Sequence, residues 1–206
     1  MQTRDSIEFW FDFGSNYSYL SVMRIAPLAA AAGVRVVLKP FLLGPIFKSL
    51  GWDNSPFVLQ QMKGAYMWQD MVRQCDKYGL RWQRPASFPR NGLLAARVAL
   101  AGEGAAWLAP FCQQVMLANF ADDREIGHPA VIGAILDDLG ADSAALLERA
   151  GGEDIKTTLR ERTAAAQARG IFGAPMFFAG DAMFWGNDRL DDAIAHATTQ
   201  RQEQRA

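Results

Sequence analysis

Residues that favour β-strands are confined to the two ends of this chain, and this distribution restricts the fold more than any other feature. Near the N-terminus, the aromatic run Ile7–Phe13 predicts a buried strand, and the β-branched run Val34–Leu38 predicts a second strand that ends before Pro40. Between them, the apolar spacing of Tyr17–Ala32 predicts a buried helix that Gly33 ends. Strand, helix and strand in this order predict a right-handed crossover between two parallel strands.

The C-terminal end predicts two antiparallel strands with a helix on either side. The strands are Met176–Ala179 and Ala182–Trp185, which a tight turn joins into a β-hairpin. A helix over Glu153–Arg169 precedes the hairpin, and a last helix begins at the Asn187-Asp188 pair and extends to about His196.

The middle of the chain, from about Ile46 to Leu147, carries alanine- and leucine-rich helical patterns separated by proline-containing loops. Helices are predicted there at Leu93–Ala101, Ala106–Asn119 and Pro129–Leu139, and no segment has a strand pattern. Without this block, the order of elements is βαβ followed by αββα, which is the arrangement of a thioredoxin fold. We therefore predict an α/β protein with a thioredoxin-like domain (residues 1–45 and 153–206) and a large all-helical insertion (residues 46–152).

Composition excludes several classes of function. The 206 residues carry a formal net charge of −1, so no basic field attracts nucleic acid or anionic lipid. No apolar stretch is long enough to span a membrane, and the N-terminus lacks a secretory signal pattern. Cys75 and Cys112 lie far apart and, with His128 and His196, show no metal-ligand spacing, so we expect no metal site. Two free thiols suit the cytoplasm, which is the expected compartment.

The residues that follow the first strand predict a ligand site. Ligands of open α/β sheets bind at the carboxyl ends of the strands, and Ser15 lies at such an end, where a helix is predicted to begin. The unpaired N–H groups and the dipole of a helix N-terminus favour an anion at this position. Serine is also a preferred N-cap residue, so a purely structural role for Ser15 stays open.

Pro175, at the entry to a predicted strand, is the second sign of a site. Proline is excluded from strand interiors, and a cis Ala174–Pro175 bond explains its position directly after Gly173. In that geometry, the backbone N–H and C=O of Ala174 face the start of the first helix and can pair with an extended peptide. We therefore expect Ser15 and Ala174 to lie close together.

Five short segments carry a resemblance to one enzyme family. They are DFGSNYSYL (12–20), PFLLGPIFK (40–48), ANFADDREI (118–126), GAPMFF (173–178) and FWGNDRL (184–190). Together they resemble the 2-hydroxychromene-2-carboxylate isomerases, which belong with the kappa-class glutathione transferases among DsbA-like thioredoxin folds. The resemblance runs from about Ile7 to Ala195. Asn16 departs from it, because these enzymes usually have proline there, and the GWDNSP loop (51–56) is longer than its kappa-type counterpart.

The resemblance implies glutathione as the cofactor and a small aromatic substrate. Redox relatives carry CxxC where this chain has an SxxS from Ser15 to Ser18, so it cannot exchange disulfides there through its own sulfur. The implied reaction interconverts 2-hydroxychromene-2-carboxylate and trans-o-hydroxybenzylidenepyruvate in bacterial breakdown of compounds such as naphthalene. Reversible addition of a thiolate to the conjugated carbon makes a double bond rotatable, and elimination restores the thiol.

In this chemistry Ser15 has the role of stabilising the glutathione thiolate. A hydrogen bond to a charged sulfur contributes about 1.5–3 kcal/mol, and a helix N-terminus contributes about 0.3–1 kcal/mol. Lowering a thiol pKa by about two units requires roughly 2.7 kcal/mol, so the two effects together suffice. Ser15 itself need not form a covalent bond.

The resemblance also assigns contacts at matching positions. Asn187 and Asp188 match a pair that holds the γ-glutamyl end of glutathione, with Asp188 on its amine, and Lys63 matches a lysine near the glycyl carboxylate. A plain helix cap for the pair and a solvated helix lysine for Lys63 stay open. The remaining candidate contacts are Ala174, Pro175 and Asn54 with glutathione, and Tyr17, Asn91 and Trp82 with the substrate. A cap on the following helix for Asn91 and a core position for Trp82 stay open.

Two other functions stay open beside the isomerase. The first is a kappa-like glutathione transferase, which conjugates electrophiles on the same scaffold. The second is a DsbA-like module without redox activity that binds peptides at the Ala174–Pro175 edge. We expect a homodimer, with neither nucleic acid nor a membrane as a partner.

Overall fold

The computed structural model describes residues 6–203 of the chain. Its strands lie near the two ends, as the sequence predicts: β1 (Ser6–Phe11), β2 (Arg35–Pro40), β3 (Met176–Ala179) and β4 (Ala182–Trp185). They form one sheet in the order β2-β1-β3-β4, in which β1 is parallel to β2 and antiparallel to β3, and β3 and β4 form the predicted hairpin. The predicted thioredoxin-like sheet is therefore confirmed.

The boundaries of the first two strands differ from the sequence prediction. β1 ends at Phe11 rather than Phe13, and β2 continues through Pro40, which pairs in register with Phe11. Proline has no N–H group to donate to a neighbouring strand. It is tolerated in β2 because this strand lies at the edge of the sheet and needs a partner on one side only.

Helices fill the rest of the described chain. Helix α1 (Asn16–Ala32) joins β1 to β2, and α10 (Leu190–Glu203) follows a short 3₁₀ turn, Asn187–Arg189, and extends beyond the predicted end at His196. Between β2 and β3 the described residues form helices and loops without a strand, as predicted. These helices are α2 (Leu43–Ser49), α3 (Pro56–Leu59), α4 (Gln61–Tyr78), α5 (Leu93–Ala101), α6 (Leu108–Phe120), α7 (Pro129–Asp138), α8 (Ser143–Ala150) and α9 (Glu153–Ala168).

Hydrophobic clusters cover both faces of the sheet. Phe9 and Phe177 stack with their ring centroids 5.0 Å apart on the face that α1, α5 and α6 cover. Their neighbours in sequence, Trp10 and Phe178, belong to a smaller cluster on the other face with Ile46. This alternation is the two-residue period of a strand buried on both faces. The larger cluster joins residues of the sheet to residues of the helical region, so the two parts pack directly on each other.

Within residues 6–203, no helix is long and apolar enough to cross a membrane. The same residues contain no group of three or more side chains arranged to hold a metal ion. Cys75 and Cys112 are both buried free thiols. Burial raises the pKa of Cys75 to about 12 and also raises the pKa of Cys112, so neither thiol provides an accessible thiolate near neutral pH.

Candidate active site

A cavity of about 1130 Å³ lies at one edge of the sheet. The carboxyl ends of β1 and β2 and the N-terminal end of β3 meet there, and α2, α3, α4 and the loop of residues 88–92 complete the walls. Nearly all the predicted site residues line this cavity. They are Ser15, Tyr17, Asn54, Lys63, Asn91, Ala174, Pro175, Asn187 and Asp188.

Ser15 lies directly against the entry to β3. Its Oγ donates a hydrogen bond to the carbonyl oxygen of Ala174 over 3.2 Å and accepts one from the backbone N–H of Ser18 over 3.2 Å. The Ala174–Pro175 bond is cis, as predicted. Ser15 is 8% exposed and caps α1. The cap uses only a lone pair of the hydroxyl, so its proton can turn from Ala174 toward a bound group while the cap persists.

Asp12 is a buried carboxylate beside Ser15 that sequence reasoning missed. Its oxygens accept hydrogen bonds of 2.7 Å from the backbone N–H groups of Gly14 and Leu43. The carboxylate thereby ties the loop after β1 to the start of α2. Burial raises the pKa of Asp12, although the two N–H donors act in the opposite direction. The available signal is an acidic residue inside the otherwise apolar run FWFDF, which belongs to the strand that the sequence predicts over Ile7–Phe13.

Asn187 belongs to a hydrogen-bond network with α1 and does not cap the last helix. Its Oδ1 accepts hydrogen bonds from Ser21 Oγ over 3.2 Å and from Arg24 Nη1 over 2.8 Å. Gly186, rather than Asn187, precedes the 3₁₀ turn, and no side chain caps that turn. The cap interpretation of Asn187 is therefore wrong.

The neighbouring carboxylate, Asp188, points outward from the same corner. Its side chain is 76% exposed, and its nearest cation is Arg189, with Nε 3.8 Å from Oδ2. Gly186 approaches it so closely that a Cβ at this glycine would lie 2.4 Å from Oδ1 of Asp188. Since Gly186 also has φ of 105°, only glycine fits this turn without strain.

Helix α4 contributes polar residues to the opposite wall. Tyr17 Oη donates a hydrogen bond of 2.8 Å to Asp70 Oδ2, and Gln74 Nε2 donates one of 3.3 Å to Oδ1 of the same carboxylate. Burial, together with the charge of Asp70, raises the pKa of Tyr17, so this phenol stays protonated. Lys63 is exposed and forms no ion pair with a described residue. The Asn54 side chain is engaged locally, accepting from the N–H of Ser55 over 2.7 Å.

The loop of residues 88–92 forms the floor between the two walls. Asn91 Oδ1 accepts from the N–H of Leu93 over 2.9 Å, so Asn91 supports the start of α5 and also lines the cavity. Buried Arg90 forms ion pairs with Asp123 and Glu125 and donates to Asn119. Asn119 Nδ2 in turn donates to the carbonyl of Phe13 over 2.9 Å. The ANFADDREI segment thus connects the loop of residues 88–92 to Phe13, two residues before Ser15.

Trp82 is the predicted pocket residue that does not line the cavity. Its ring stacks on Phe120 with an interplanar angle of 13°, and it packs against Trp68 with centroids 6.1 Å apart. The next residue, Gln83, donates its N–H to the carbonyl of Phe120 over 2.7 Å, which holds the segment against α6. The substrate-pocket assignment of Trp82 is therefore corrected. Phe172 and Trp185, which the sequence did not single out, also line the cavity, and their ring centroids lie 4.8 Å apart.

The chain is similar to proteins of known type over nearly its whole length. Residues 6–196 match the model of the DSBA-like thioredoxin domain family. A 2-hydroxychromene-2-carboxylate isomerase of Sphingobium xenophagum is 30% identical over 187 residues, which cover 90% of this chain and 94% of that protein. The kappa 1 glutathione S-transferase of Rattus norvegicus is 25% identical over 199 residues, covering 90% and 87%. A solved 2-hydroxychromene-2-carboxylate isomerase structure superposes with a TM-score of 0.86 at 25% identity, covering 97% and 98%.

Proposed function

We propose that this chain, which belongs to the DSBA-like thioredoxin domain family, is a glutathione-dependent isomerase. Within that family it belongs with the 2-hydroxychromene-2-carboxylate isomerases. It interconverts 2-hydroxychromene-2-carboxylate and trans-o-hydroxybenzylidenepyruvate in bacterial breakdown of bicyclic aromatics such as naphthalene. One observation carries the proposal: the Ser15 hydroxyl lies at the N-terminus of α1, 3.2 Å from Ala174, in a cavity that no described cysteine lines.

The cavity walls fit glutathione in size and in chemistry. The volume of about 1130 Å³ exceeds the roughly 300–1000 Å³ of ordinary small-ligand pockets, which leaves room for a tripeptide beside a small aromatic compound. Lying on the walls, Lys63 suits the glycyl carboxylate and Asp188 suits the γ-glutamyl amine. The backbone of Ala174, which lies beside Ser15, is placed to pair with the backbone of the cysteinyl residue.

The serine and the helix terminus stabilise the anion on which the reaction depends. When bound, glutathione supplies a thiolate that adds reversibly to the conjugated carbon of the substrate and so allows rotation about a former double bond. Ser15 turns its proton from Ala174 toward the sulfur while its lone pair still caps α1. The first turn of α1 itself contains no acidic residue, which leaves its N–H groups and the positive end of the helix dipole available to the anion.

Tyr17 acts as a wall of the substrate pocket and not as a base. Its phenolic proton is committed to Asp70, and its raised pKa keeps that proton in place. The ring packs beside Phe57, with centroids 5.9 Å apart. Apolar and aromatic surface of this kind suits a bicyclic aromatic substrate, and Asn91 adds an amide group at the cavity floor.

A kappa-like glutathione transferase is the second candidate, since the rat kappa enzyme is similar over 90% of this chain. A panel of chromene carboxylates and electrophiles, with and without glutathione, separates the two functions. We expect the ultraviolet spectrum of a chromene carboxylate to change only with glutathione, while a free-thiol assay stays constant. Loss of free thiol with an electrophile, and no spectral change with any chromene carboxylate, favours the transferase. Saturable binding of an unfolded peptide without glutathione binding favours the peptide-binding module.

We also propose a cytoplasmic homodimer in which residues 46–152 form an insertion within residues 1–45 and 153–206. Two buried, free thiols suit a reducing compartment. Apolar side chains at Leu59 and Met62, where α3 gives way to α4, are exposed, Met62 to 89%, and a partner surface would cover them. Sedimentation analysis of the purified protein distinguishes the dimer from a monomer.

A further inference from the structure

The orientation of the Asn187 side-chain amide is fixed from outside the cavity. Its Oδ1 accepts from Arg24 Nη1 over 2.8 Å and from Ser21 Oγ over 3.2 Å. An arginine has five N–H donors and no acceptor, so the amide atom that faces Arg24 must be the oxygen. The amide nitrogen therefore lies on the other side of the group. It has no hydrogen-bond partner among residues 6–203, and Asn187 lines the cavity.

Arg24 is itself held by two further elements of the fold. Its side chain is 12% exposed, and its guanidinium lies 3.9 Å from the centre of the Tyr78 ring at the end of α4. Its Nη2 forms an ion pair of 3.0 Å with Asp191 at the start of α10. None of these three residues lines the cavity. Because stacking and ion pairing both fix the guanidinium plane, Arg24 fixes the direction in which the Asn187 amide points.

The corner that results presents a donor and an anion side by side. The –NH₂ group of Asn187 offers hydrogen bonds to an acceptor, and the carboxylate of Asp188 attracts a cation. An α-amino acid group, with its carboxylate and its ammonium on one carbon, has both complements. A flipped Asn187 amide would instead set its oxygen against the ligand carboxylate, which is repulsive.

We propose that Arg24, assisted by Ser21, is a positioning residue that selects an α-carboxylate at the Asn187 corner of the cavity. The inference rests on the proposed function, in which the α-amino acid group is the γ-glutamyl end of glutathione. Arg24 acts through Asn187 and has no contact with the ligand. Its effect is therefore confined to ligands that carry the α-carboxylate.

The test compares glutathione with 4-aminobutanoyl-cysteinylglycine, an analogue that keeps the amine and thiol but lacks the α-carboxylate. Calorimetric titration gives the dissociation constant of each ligand for the full-length wild type and its variants. Arg24→Met removes the donors but keeps an apolar side chain over Tyr78. We expect it to weaken glutathione about tenfold, as for a weakened hydrogen bond to a charged group, and to change the analogue less than about twofold.

Further variants keep the proposal testable if Arg24→Met folds poorly in thermal melts. Ser21→Ala removes the weaker donor, and we expect a smaller loss in the same direction, again confined to glutathione. Arg24→Lys restores one donor and should recover part of the preference for the α-carboxylate. Asp191→Asn removes the ion-pair partner of Arg24, and we expect a small loss that is again confined to glutathione. Asp192→Asn makes the same charge change on the same helix but pairs with Arg189 and not with Arg24, so it serves as the matched control with both affinities nearly unchanged.

The outcomes separate this proposal from the proposed function. If Arg24→Met weakens both ligands by the same factor, or neither, Arg24 does not position the amide and the proposal is overturned while glutathione binding stands. If the wild type binds glutathione no better than the analogue, the Asn187 corner does not recognise the α-carboxylate and the proposal is overturned. If the wild type binds neither ligand, glutathione use is refuted, and the role of Arg24 is refuted with it.

Discussion

The two walls of the cavity are built in different ways. On the side of the sheet, Ser15 and Asn187 are both engaged in hydrogen bonds with residues more than 150 positions away in the chain. On the side of α2–α4, the wall is largely apolar and aromatic, with Trp52, Tyr66 and Phe57, and its cation, Lys63, has no described ion-pair partner. One wall is fixed mainly by polar contacts between distant segments. The other is a partly exposed helical surface that the Tyr17–Asp70 hydrogen bond joins to α1.

This difference indicates a division of tasks between the walls. Stabilising a charge requires donors that are already oriented, because their reorganisation would reduce the gain at the moment of reaction. Hydrophobic pockets, by contrast, discriminate weakly between ligands of similar shape and change specificity through modest substitutions. We therefore expect changes in the sheet-side wall to affect glutathione, and changes in the aromatic side chains of the helical wall, as distinct from Lys63, to affect the aromatic substrate.

The largest effect is expected from Ser15→Ala, which removes the proposed donor to the thiolate. Loss of about 1.5–3 kcal/mol raises the pKa of bound glutathione by about one to two units and lowers turnover about 10- to 100-fold near neutral pH. The loss shrinks as the pH rises above the thiol pKa, since the thiol then ionises unaided. Ultraviolet absorbance of the thiolate across a pH titration of the bound complex measures the shift.

The same variant also removes a helix cap, so its effect needs a matched control. Asp142 caps α8 by accepting from the N–H of Ala145 over 3.0 Å, and it lies outside the cavity wall. Asp142→Ala should cost about 0.5–2 kcal/mol of stability and leave the glutathione pKa unchanged. If Ser15→Ala behaves like this control, Ser15 is only a cap and the candidate site is misplaced.

The next effect is expected at the far end of the sheet-side wall. Asp188→Asn removes the charge proposed to pair with the γ-glutamyl amine, and we expect glutathione affinity to fall about fivefold, as for an exposed ion pair. Turnover at saturating glutathione should change little, because the contact is the same in the ground and transition states. Asp192→Asn makes the same charge change beside Arg189 but outside the cavity, so it should leave the affinity unaltered. Equal affinities for both variants and the wild type would remove Asp188 from the site.

A smaller effect is expected in the helical wall. Tyr66→Ala removes an exposed ring from α4 and should raise the KM of the aromatic substrate about two- to threefold while the glutathione dissociation constant stays the same. Val72→Ala shortens another exposed side chain of α4 that does not line the cavity, and it should alter neither constant. A change in glutathione affinity in Tyr66→Ala would show that the two walls do not divide the tasks in this way.

The sequence predicted the sheet and most of the sheet-side wall because those features depend on local patterns. Aromatic and β-branched runs define β1 to β4, and proline entering β3 indicated the approach of Ala174 to Ser15. The contacts that fix the wall were not predictable in this way, because they join residues that are distant in the chain. Arg24 and Asp12 look ordinary in the sequence, and only the fold brings them to Asn187 and Leu43.

The helical wall was harder to predict, for a different physical reason. An aromatic residue on a helix serves a core and a pocket equally well, and the sequence does not say which face the neighbouring helices cover. Trp82 turned inward onto Phe120, whereas Tyr66 stayed exposed at the cavity. The assignment of residues 46–152 as an insertion stays a prediction. Their helical pattern is clear from the sequence, but the sequence does not show locally which elements these helices pack against.

The smallest expected effect is a change in how stability depends on pH, and it tests whether the sheet-side wall is held by a buried charge. The pKa of Asp12 is raised above its ordinary value of 3.8, so the folded protein binds the proton more tightly than the unfolded chain. The stability from this group is therefore greatest below pH 3.8 and falls as the pH rises to the raised pKa. Asp12→Asn does not titrate, so the melting temperature of the wild type minus that of the variant should fall with pH across this window.

Repeating the measurement at high salt is the control. If the slope is the same there, the pH dependence comes from burial of Asp12 rather than from distant charges. A difference that rises with pH would mean that the N–H groups of Gly14 and Leu43 outweigh burial, and that the wall is built around a stabilised carboxylate.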